Sequence, residues 1–377
     1  MMRPGGGIST MEKPSIVMDN GAGYSKAGFC SEDRPKFVLR TKVGIPWSEL
    51  VHEIGHQTLT AGMMAPVSTS LIWKTPIVHG VVVDWNAIEI FWKHIFYRLL
   101  KIDPRAHSVL LSDSPASPLV NRELAAELLF ESFGVPAMHI APSCTLSMYS
   151  CGRTIGLVID VGDGTSLTCP ILEGYILPCA LYRLDIAGET LTHRMRELLR
   201  LSGNSFFSHQ KSLVRKIKEK TCYVALDYQK ELQSDLCLDY PLPDGHILSL
   251  TKERFQCPET LLQPKLMGIN EPGLHQMAFN SLQKVESSSQ QAIQESILLC
   301  GGSSLFRGLP ERLLNELRRL LTGNSKFNLL VPNPKKRWYA AWVGGAIAAS
   351  LPTFNSLWVT KEEYKENGPI SLHRKCN

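Results

Sequence analysis

The sequence lacks the features that mark secreted, membrane-spanning and disulfide-stabilised proteins. Its 377 residues contain no Asn-x-Ser/Thr sequon, and no apolar run approaches the ~20 residues that a membrane-spanning helix needs. The ten cysteines include no Cys-x-x-Cys pair, and no charged and then apolar leader opens the chain. These absences predict no membrane span and favour free, mostly buried cysteines in a reducing compartment, the cytosol or the nucleus.

The charge is also too small to indicate a polyanionic partner. The net charge is +5, and the two densest basic stretches are interrupted by apolar or acidic residues: KSLVRKIKEK (211–220) and NPKKRWY (333–339). We interpret them as a solvated helix face and a loop, so nucleic acid is not an expected partner. The opening residues predict a flexible extension over 1–14, with Met11 as an alternative start.

A repeated motif carries the chemistry. SIVMDNGAG (15–23) and GLVIDVGDG (156–164) each place Asp-x-Gly-x-Gly directly after an apolar strand. Glycines let backbone N–H groups approach phosphate oxygens closely, and Lys26 adds a point charge. Magnesium uses one or two carboxylates and keeps several waters, so Asp19 and Asp160 are the predicted metal ligands. The alternative is that both aspartates only cap their own turns.

The surrounding chain alternates helices with strands, which indicates an α/β protein. Periodicity predicts helices over 85–100 and 121–136, the second ending at Gly134 and Pro136. Apolar runs predict buried strands over 107–113 and 154–160. Two related domains, each with a phosphate hairpin, are therefore expected to face a shared cleft.

Several blocks resemble the actin family: MDNGAGYSKAGF (18–29), TPIVHGVV (75–82), DVGDG (160–164), EGYILP (173–178), IKEKTCYVALD (217–227), YPLPDG (240–245), GGSSLFRG (301–308), KEEYKENGP (361–369) and HRKC (373–376). The resemblance runs from about Ser15 to the C-terminus. Many substitutions between blocks make the chain a divergent, actin-related relative, similar to the actin-like proteins expressed in testis. The resemblance implies an actin-like ATPase fold, with two duplicated lobes, four subdomains and a cleft for ATP or ADP with Mg²⁺ or Ca²⁺.

The resemblance also implies subdomain ranges and nucleotide contacts. Subdomain 1 would take 15–40, 76–150 and 340–377, subdomain 2 41–75, subdomain 3 151–186 and 270–339, and subdomain 4 187–269. The implied phosphate contacts are Asp19, Gly21, Gly23, Lys26, Asp160, Gly162, Asp163 and Gly164. The implied base and ribose contacts are Arg215, Lys218, Glu219, Gly301, Gly302 and Ser303. His79 matches the histidine that conventional actins methylate.

The departures from the family bear on turnover. Conventional actins position the attacking water with a glutamine and a histidine, and these positions are Ser143 and Leu167 here. Leucine cannot orient water or relay a proton, and serine is too short to reach where glutamine would, so hydrolysis is expected to be slow. Ala22 replaces a family serine, and Trp338 replaces a family lysine near the adenine. The alternative is that a neighbouring residue substitutes for the lost pair.

A second motif has a different chemistry. HEIGH (52–56) matches His-Glu-x-x-His, in which two histidines bind zinc and the glutamate is a general base. Gly55 falls inside the helix turn that such a site requires, and no third ligand is evident. The segment also falls in the variable loop of the family's smallest subdomain, so we do not expect zinc catalysis.

The same region bears on assembly. Between Gly44 and Gly80 the chain is rewritten relative to actins, as is the loop PKLMGINEPGLH (264–275). In actin filaments this region docks into a cleft of the next subunit. The residues that match that cleft are partly kept in this chain, at Tyr149, Gly152 and Leu351. The sequence therefore favours partner binding through this cleft, to actin-family or cytoskeletal proteins, over ordinary filament growth. Neutral drift of an exposed loop is the alternative.

The sequence leads to one functional hypothesis and two alternatives. The leading hypothesis is a structural actin-related protein of the cytoplasm and cytoskeleton that binds ATP but hydrolyses it poorly, as a scaffold or partner-binding subunit, for example in sperm. The first alternative is an active ATPase that forms or joins actin-like filaments. The second is a nuclear subunit of a chromatin complex.

Overall fold

The computed structural model describes residues 13–46, 60–61, 71–321 and 326–376. The strands, in chain order, are β1 (Ile16–Asn20), β2 (Tyr24–Phe29), β3 (Phe37–Arg40), β4 (Val43–Pro46), β5 (Thr60–Ala61), β6 (Leu71–Lys74), β7 (Ile77–Val78), β8 (Val81–Val82), β9 (Val109–Asp113), β10 (Ala137–Pro142), β11 (Gly156–Val161), β12 (Ser166–Leu172), β13 (Tyr175–Ile176), β14 (Tyr182–Leu184), β15 (Leu238–Pro241), β16 (Ile247–Leu250), β17 (Ile297–Cys300), β18 (Leu329–Leu330) and β19 (Val359–Thr360).

The α-helices are α1 (Trp85–Lys93), α2 (Leu119–Glu127), α3 (Ser143–Tyr149), α4 (Gly188–Leu201), α5 (Lys211–Thr221), α6 (Tyr228–Glu231), α7 (Glu253–Glu259), α8 (Leu274–Gln283), α9 (Ser287–Gln294), α10 (Leu309–Leu320), α11 (Pro334–Trp338), α12 (Ala340–Ser350), α13 (Lys361–Asn367) and α14 (Ile370–Lys375). Two segments are π-helical, His94–Leu100 and Leu128–Ser132. Within the described ranges, no helix is both long and apolar enough to cross a membrane.

Two mixed sheets with the same construction organise the chain. The first has the order β19-β10-β9-β1-β2-β3, and the second has the order β13-β12-β11-β17-β18 with β14 also beside β12. In the first sheet, β1 pairs antiparallel with β2 and parallel with β9. In the second, β11 pairs antiparallel with β12 and parallel with β17. The duplication expected from the repeated motif is therefore present, whereas the subdomain boundaries stay a prediction.

Each sheet has its own apolar core because its central strands are buried on both faces. The first core gathers β1, β9 and β10 with α1 and its π-helical continuation, and the second gathers β11 and β17 with α4, α8 and α10. The predicted strands 107–113 and 154–160 are observed as β9 and β11, with small shifts at their ends. These cores fix the strand ends that carry the two motifs.

The two predicted helices are present, but each changes its winding. The helix that begins at Trp85 is α-helical to Lys93 and then π-helical to Leu100. The second begins at Leu119, two residues earlier than predicted, and becomes π-helical over Leu128–Ser132. It ends before Gly134, whose φ is +69°, so the predicted glycine stop is correct.

Helices α3 and α12 cross between the lobes. Helix α3 contacts β10 of the first sheet and β11 of the second, and α12 packs across α3. The approach is very close, because a Cβ at Gly344 would lie 1.6 Å from the carbonyl oxygen of Leu146. Only glycine fits there, so the backbones of the two helices are in direct contact, and α3 in turn contacts both sheets.

Candidate nucleotide site between the two hairpins

The two Asp-x-Gly-x-Gly turns face each other across a cleft. A Cβ at Gly23 would lie 2.5 Å from the Cβ of Asp163, and one at Gly164 would lie 2.9 Å from the Cβ of Ala22. The tips therefore touch only because these positions carry no side chain. The cleft beside them holds about 850 Å³ of space that is open to solvent.

In the first hairpin, the carboxylate of Asp19 is fully paired. Its Oδ2 accepts from the Lys26 ammonium at 2.7 Å, and its Oδ1 accepts from the Ser112 hydroxyl at 2.6 Å. Lys26 lies directly across the strand pair from Asp19, and Ser112 lies beside it on β9. The buried hydroxyl of Thr41 donates to the Gly21 carbonyl at 2.6 Å and fixes the turn.

In the second hairpin, the residues around Asp160 are different. Leu167 lies across the strand pair and Cys300 lies beside Asp160 on β17. Burial raises the pKa of Asp160 to about 6, against the opposing attraction of the Lys26 charge. A nearby cation would stabilise the ionised form of this carboxylate and so compensate for its loss of solvation. This environment suits a metal ligand.

The turn of the second hairpin is anchored by Ser303 and Gly188. The Gly162 carbonyl accepts from the Ser303 hydroxyl at 2.6 Å and from the Gly188 amide at 3.1 Å. Gly301 has a φ of +91°, and a Cβ there would lie 2.3 Å from Oδ1 of Asp160. A Cβ would also lie 2.4 Å from the backbone carbonyl oxygen of Val161, so glycine is required here both by the positive φ and by the close approach of its neighbours.

The cleft fits a phosphate chain with a hydrated cation. Among the described residues, no protein acceptor engages the backbone N–H groups of Ala22, Gly23 and Gly164. The buried Oδ1 of Asn20, also in the cleft wall, has no partner in the described part of the chain. Free amides suit phosphate oxygens, and a free amide oxygen suits a metal-bound water.

A second chamber of about 1090 Å³ continues the cleft toward Lys218, Glu219 and Ser303. Tyr24 and Trp338 line both chambers. The Lys218 ammonium donates to the Gly188 carbonyl at 2.5 Å, and burial lowers its pKa. The wall is thus part apolar and part polar, as small-molecule sites generally are.

The structure places Arg215 differently from the other implied contacts. Its guanidinium lies 3.2 Å from Asp163 and 2.5 Å from Glu189, which is also paired with Lys211. Arg215 is buried in this ion-pair network and does not line either chamber of the described cleft. In this structure it holds Asp163 in place beside the tip of the first turn.

The two positions at which the family's water-positioning residues are replaced, Ser143 and Leu167, line the first chamber. Ser143 begins α3 and reaches the cleft wall. Leu167 is only 3% exposed and belongs to a cluster with Cys144, Cys169 and Cys300. The floor beneath the phosphate turns is therefore apolar at the position where a histidine would stand in a conventional actin.

His79 holds the tip of the second turn. Its Nδ1 donates to the Gly164 carbonyl at 2.9 Å, which leaves the proton off Nε2 in the neutral ring. The residue has a φ of +48°, a conformation that is uncommon for residues other than glycine, although histidine adopts it more often than most. The hydrogen bond offers one reason for that conformation.

Sequence reasoning missed Ser112, Thr41 and Cys300. Ser112 and Cys300 lie at or next to the ends of the strands beside the motif strands, so they are found only when the parallel register is known. A partial signal existed, because the predicted strand 107–113 ends in Ser-Asp at the same sheet edge as Asp19. Thr41 carries no local signal.

Two other predictions concern segments away from the candidate nucleotide site: the HEIGH motif and the cleft implied for partner binding. HEIGH (52–56) lies outside the described residues, as do 47–59 and 62–70 of the rewritten segment between Gly44 and Gly80. Around the α3–α12 crossing, Leu351 is 50% exposed, and Ile347 and Leu357 are also exposed. Tyr149 is half-buried, and Gly152 has open space around it. These residues give the implied partner cleft an apolar surface.

Two duplicated lobes that close on paired phosphate hairpins define the actin-like ATPase fold. The family model described as Actin matches residues 10–377. The chain is 39% identical to mouse actin-like protein 7B over 369 residues, which is 96% of this chain and 88% of that protein. It is 41% identical to human actin-like protein 7A over 367 residues, or 96% and 84%. The chain belongs to the actin family, and the predicted family and fold class are confirmed.

Proposed function

We propose that this actin-related protein holds ATP or ADP with Mg²⁺ or Ca²⁺ between its lobes, hydrolyses ATP slowly, and serves as a structural subunit. One observation carries the proposal. The cleft keeps both carboxylates and both glycine turns, but Leu167 is buried and apolar across the strand pair from Asp160. The parts that hold a nucleotide are present, and the parts that would position water for its cleavage have changed.

Binding is supported by the arrangement of the two turns. Asp19 and Asp160 would hold the cation through water, and the free amides of Ala22, Gly23 and Gly164 would hold phosphate oxygens. The ribose and base would lie in the second chamber near Lys218, Glu219 and the turn Gly301, Gly302 and Ser303. Arg215 would contribute by positioning Asp163.

Slow hydrolysis is supported by the cleft floor. Phosphoryl transfer to water needs a group that orients the nucleophile. The Leu167 side chain has no polar atom, and its neighbour Cys144 is a fully buried thiol whose pKa is raised by its hydrogen bond to Cys169 and by burial. Ser143 is a short side chain at the first turn of α3. None of these groups is suited to act as a base near neutral pH.

A structural role follows from the linkage between binding and folding. A ligand that binds only the closed form stabilises it whether or not it is hydrolysed. The exposed apolar residues Ile347, Leu351 and Leu357 at the crossing give a partner a surface outside the nucleotide cleft. We therefore assign the protein to the cytoskeleton of the cytoplasm, with sperm as the cell type that its resemblance to testis-expressed actin-like proteins favours.

A single-turnover phosphate-release assay tests the proposal. Purified protein is loaded with ATP and Mg²⁺, and bound nucleotide is analysed in parallel. We expect stoichiometric nucleotide, with release much slower than from a conventional actin run beside it. The paired substitution Ser143→Gln and Leu167→His should accelerate release, and Leu167→Met is the matched control that should not. Release at the conventional rate by the unaltered protein would overturn the assignment in favour of an active ATPase.

A further inference from the structure

An aromatic contact crosses the cleft between the lobes. The rings of Tyr24 and Trp338 meet edge to face, with centroids 5.6 Å apart and an interplanar angle of 84°. Tyr24 lies on β2 of the first sheet, and Trp338 ends α11, which packs on the second lobe beside the Gly302 turn. A Cβ at Gly302 would lie 3.4 Å from the Trp338 ring. The contact therefore links the two halves of the molecule.

The first-lobe ring is held in position from behind. Arg40 lies opposite Tyr24 in the β2–β3 pair, and its guanidinium carbon is 4.5 Å from the centre of the Tyr24 ring. A cation at this distance over an aromatic face is attracted to the ring and restricts its movement. Arg40, Tyr24 and Trp338 thus form a continuous row from β3 to α11, which we call the cross-cleft row.

The row stands where the two chambers of the cleft meet. Tyr24 and Trp338 line both the phosphate chamber and the chamber beside Lys218. A ligand that occupies both chambers must lie past this pair of rings. Such a ligand would contact both rings, so movement of the pair is expected to affect its entry and its release.

We propose that Tyr24 and Trp338 form a gate that slows both the entry and the release of nucleotide, with Arg40 holding the Tyr24 side of the gate in place. The proposal rests on the proposed function, since it requires that the cleft takes a nucleotide. The contact is made between protein groups, so it opposes opening in the empty and in the occupied cleft. A residue that only stacks on the base would slow release and leave entry unchanged.

Stopped-flow fluorescence with etheno-ATP and Mg²⁺ separates these cases. In Tyr24→Leu and Trp338→Leu, we expect the association and dissociation rate constants to rise together by about 3- to 10-fold, the range that an aromatic pair supports. The dissociation constant should change by less than about 3-fold. Tyr24→Phe keeps the ring and should retain the slow rates. Trp73→Leu is the matched control, since Trp73 is exposed on β6 and lines neither chamber.

Two results would overturn the gate. A rise in the dissociation rate alone would make Trp338 a base-stacking residue, and unchanged rates would show that the rings do not control passage. A second measurement does not depend on nucleotide: denaturant unfolding of the two single variants and the double variant. If the rings are in contact, the double variant loses less stability than the sum of the single losses.

Additive losses in that cycle would overturn the cross-cleft contact even if nucleotide binds. If the unaltered protein binds no etheno-ATP while the cycle shows coupling, the nucleotide function fails, and the gate with it, but the contact between the lobes stands. The failures of the two proposals are thereby distinguishable.

Discussion

The two hairpins have the same turn pattern but place different side chains around the aspartate at the start of each turn. Residues 19–26 and 160–167 follow one pattern, Asp-x-Gly-x-Gly-x-Ser, and end in Lys26 and Leu167 respectively. The first aspartate is paired with an ammonium and a hydroxyl, whereas the second has a leucine and a thiol beside it. Gly23 and Gly164 are common to both because the tips of the turns touch there, but the side chains around the two aspartates differ.

The difference gives the two carboxylates different roles. Asp19 already has its counter-charge from the protein, so it is part of the fold as much as of the site. Asp160 lacks a direct partner of opposite charge among the described residues and has a pKa raised to about 6. In the absence of a cation, the second hairpin should therefore weaken the fold at neutral pH, and the first should strengthen it.

The largest expected effect comes from making the first hairpin resemble the second. Lys26→Leu leaves Asp19 without its ammonium in a site where the Lys26 side chain is only 12% exposed. Breaking a buried ion pair by removing one partner costs about 3–5 kcal/mol, so the free energy of unfolding should fall by that amount. Guanidinium unfolding measures it, with Lys26→Arg as the charge-conserving control. Unchanged stability in Lys26→Leu would contradict the contrast between the hairpins.

The next effect concerns a buried histidine in the first sheet, which gains a positive charge on protonation, whereas the aspartates lose a negative one. His139 on β10 is buried, donates to the Leu357 carbonyl at 3.0 Å, and has a pKa lowered by burial to about 4. The unfolded chain takes up this proton near pH 6.5 and the folded chain does not until about pH 4. Stability from this group is therefore complete above pH 6.5 and lost as the pH falls.

Between pH 7 and pH 5 this loss should be about 2 kcal/mol in the free energy of unfolding. His139→Phe removes the titrating group beside Phe354. The loss of unfolding free energy between pH 7 and pH 5 should therefore be smaller by about 2 kcal/mol in this variant. His246→Gln is the control, since His246 is exposed and its removal should leave the loss unchanged. A loss that survives in His139→Phe would place the acid sensitivity elsewhere.

The third prediction concerns Asp160 in the second lobe, whose titration should change stability with pH in the direction opposite to that of His139. In metal-free and nucleotide-free protein, the pKa of Asp160 is raised, so its ionisation weakens the fold as the pH rises from about 4 to 6. Asp160→Asn should therefore stabilise this form by about 1–2 kcal/mol at pH 7, after allowance for solvent access from the cleft. The same substitution should weaken Mg²⁺-dependent nucleotide binding.

Thermal unfolding with and without Mg-ATP measures both effects of Asp160→Asn. Asp19→Asn is the matched variant, and it should lower stability because it leaves Lys26 without its partner. If the two substitutions changed stability in the same direction, the proposed division between an anchored and an unpaired carboxylate would be wrong.

The smallest effects concern the carbonyl groups behind the turns. Thr41→Val removes the hydroxyl that donates to Gly21, and Ser303→Ala removes the one that donates to Gly162. Each hydrogen bond contributes about 1 kcal/mol. The Gly162 carbonyl keeps the amide of Gly188, so Thr41→Val should cost more than Ser303→Ala. Urea unfolding of both variants ranks them, and the reverse order would contradict this reading of the turns.

The parts that sequence predicted well are those encoded by neighbouring residues. The strand-Asp-Gly-Gly pattern located both hairpins, because an apolar strand and the glycines after it are adjacent in the chain. The apolar periodicity over 85–100 predicted a helix for the same reason. The π-helical winding after Lys93 was not predictable, since an apolar stripe does not specify the hydrogen-bond register.

The parts that sequence missed depend on long-range register. Ser112 and Cys300 reach the aspartates only because β9 and β17 pair with the motif strands. Arg215 stays a predicted nucleotide contact, but its ion pairs with Asp163 and Glu189 were not predicted, because they depend on how α5 packs against α4. The roles of the nucleotide contacts stay predictions until a ligand is measured.

The crossing of α3 and α12 limits which movements are open to the lobes. With the backbone of Gly344 against the Leu146 carbonyl, the two helices leave no room for a side chain between them, so we expect them to move as one unit. Because α3 also contacts β10 of the first sheet and β11 of the second, a partner that binds against Leu351 at the end of α12 would press, through α3, on both sheets at once.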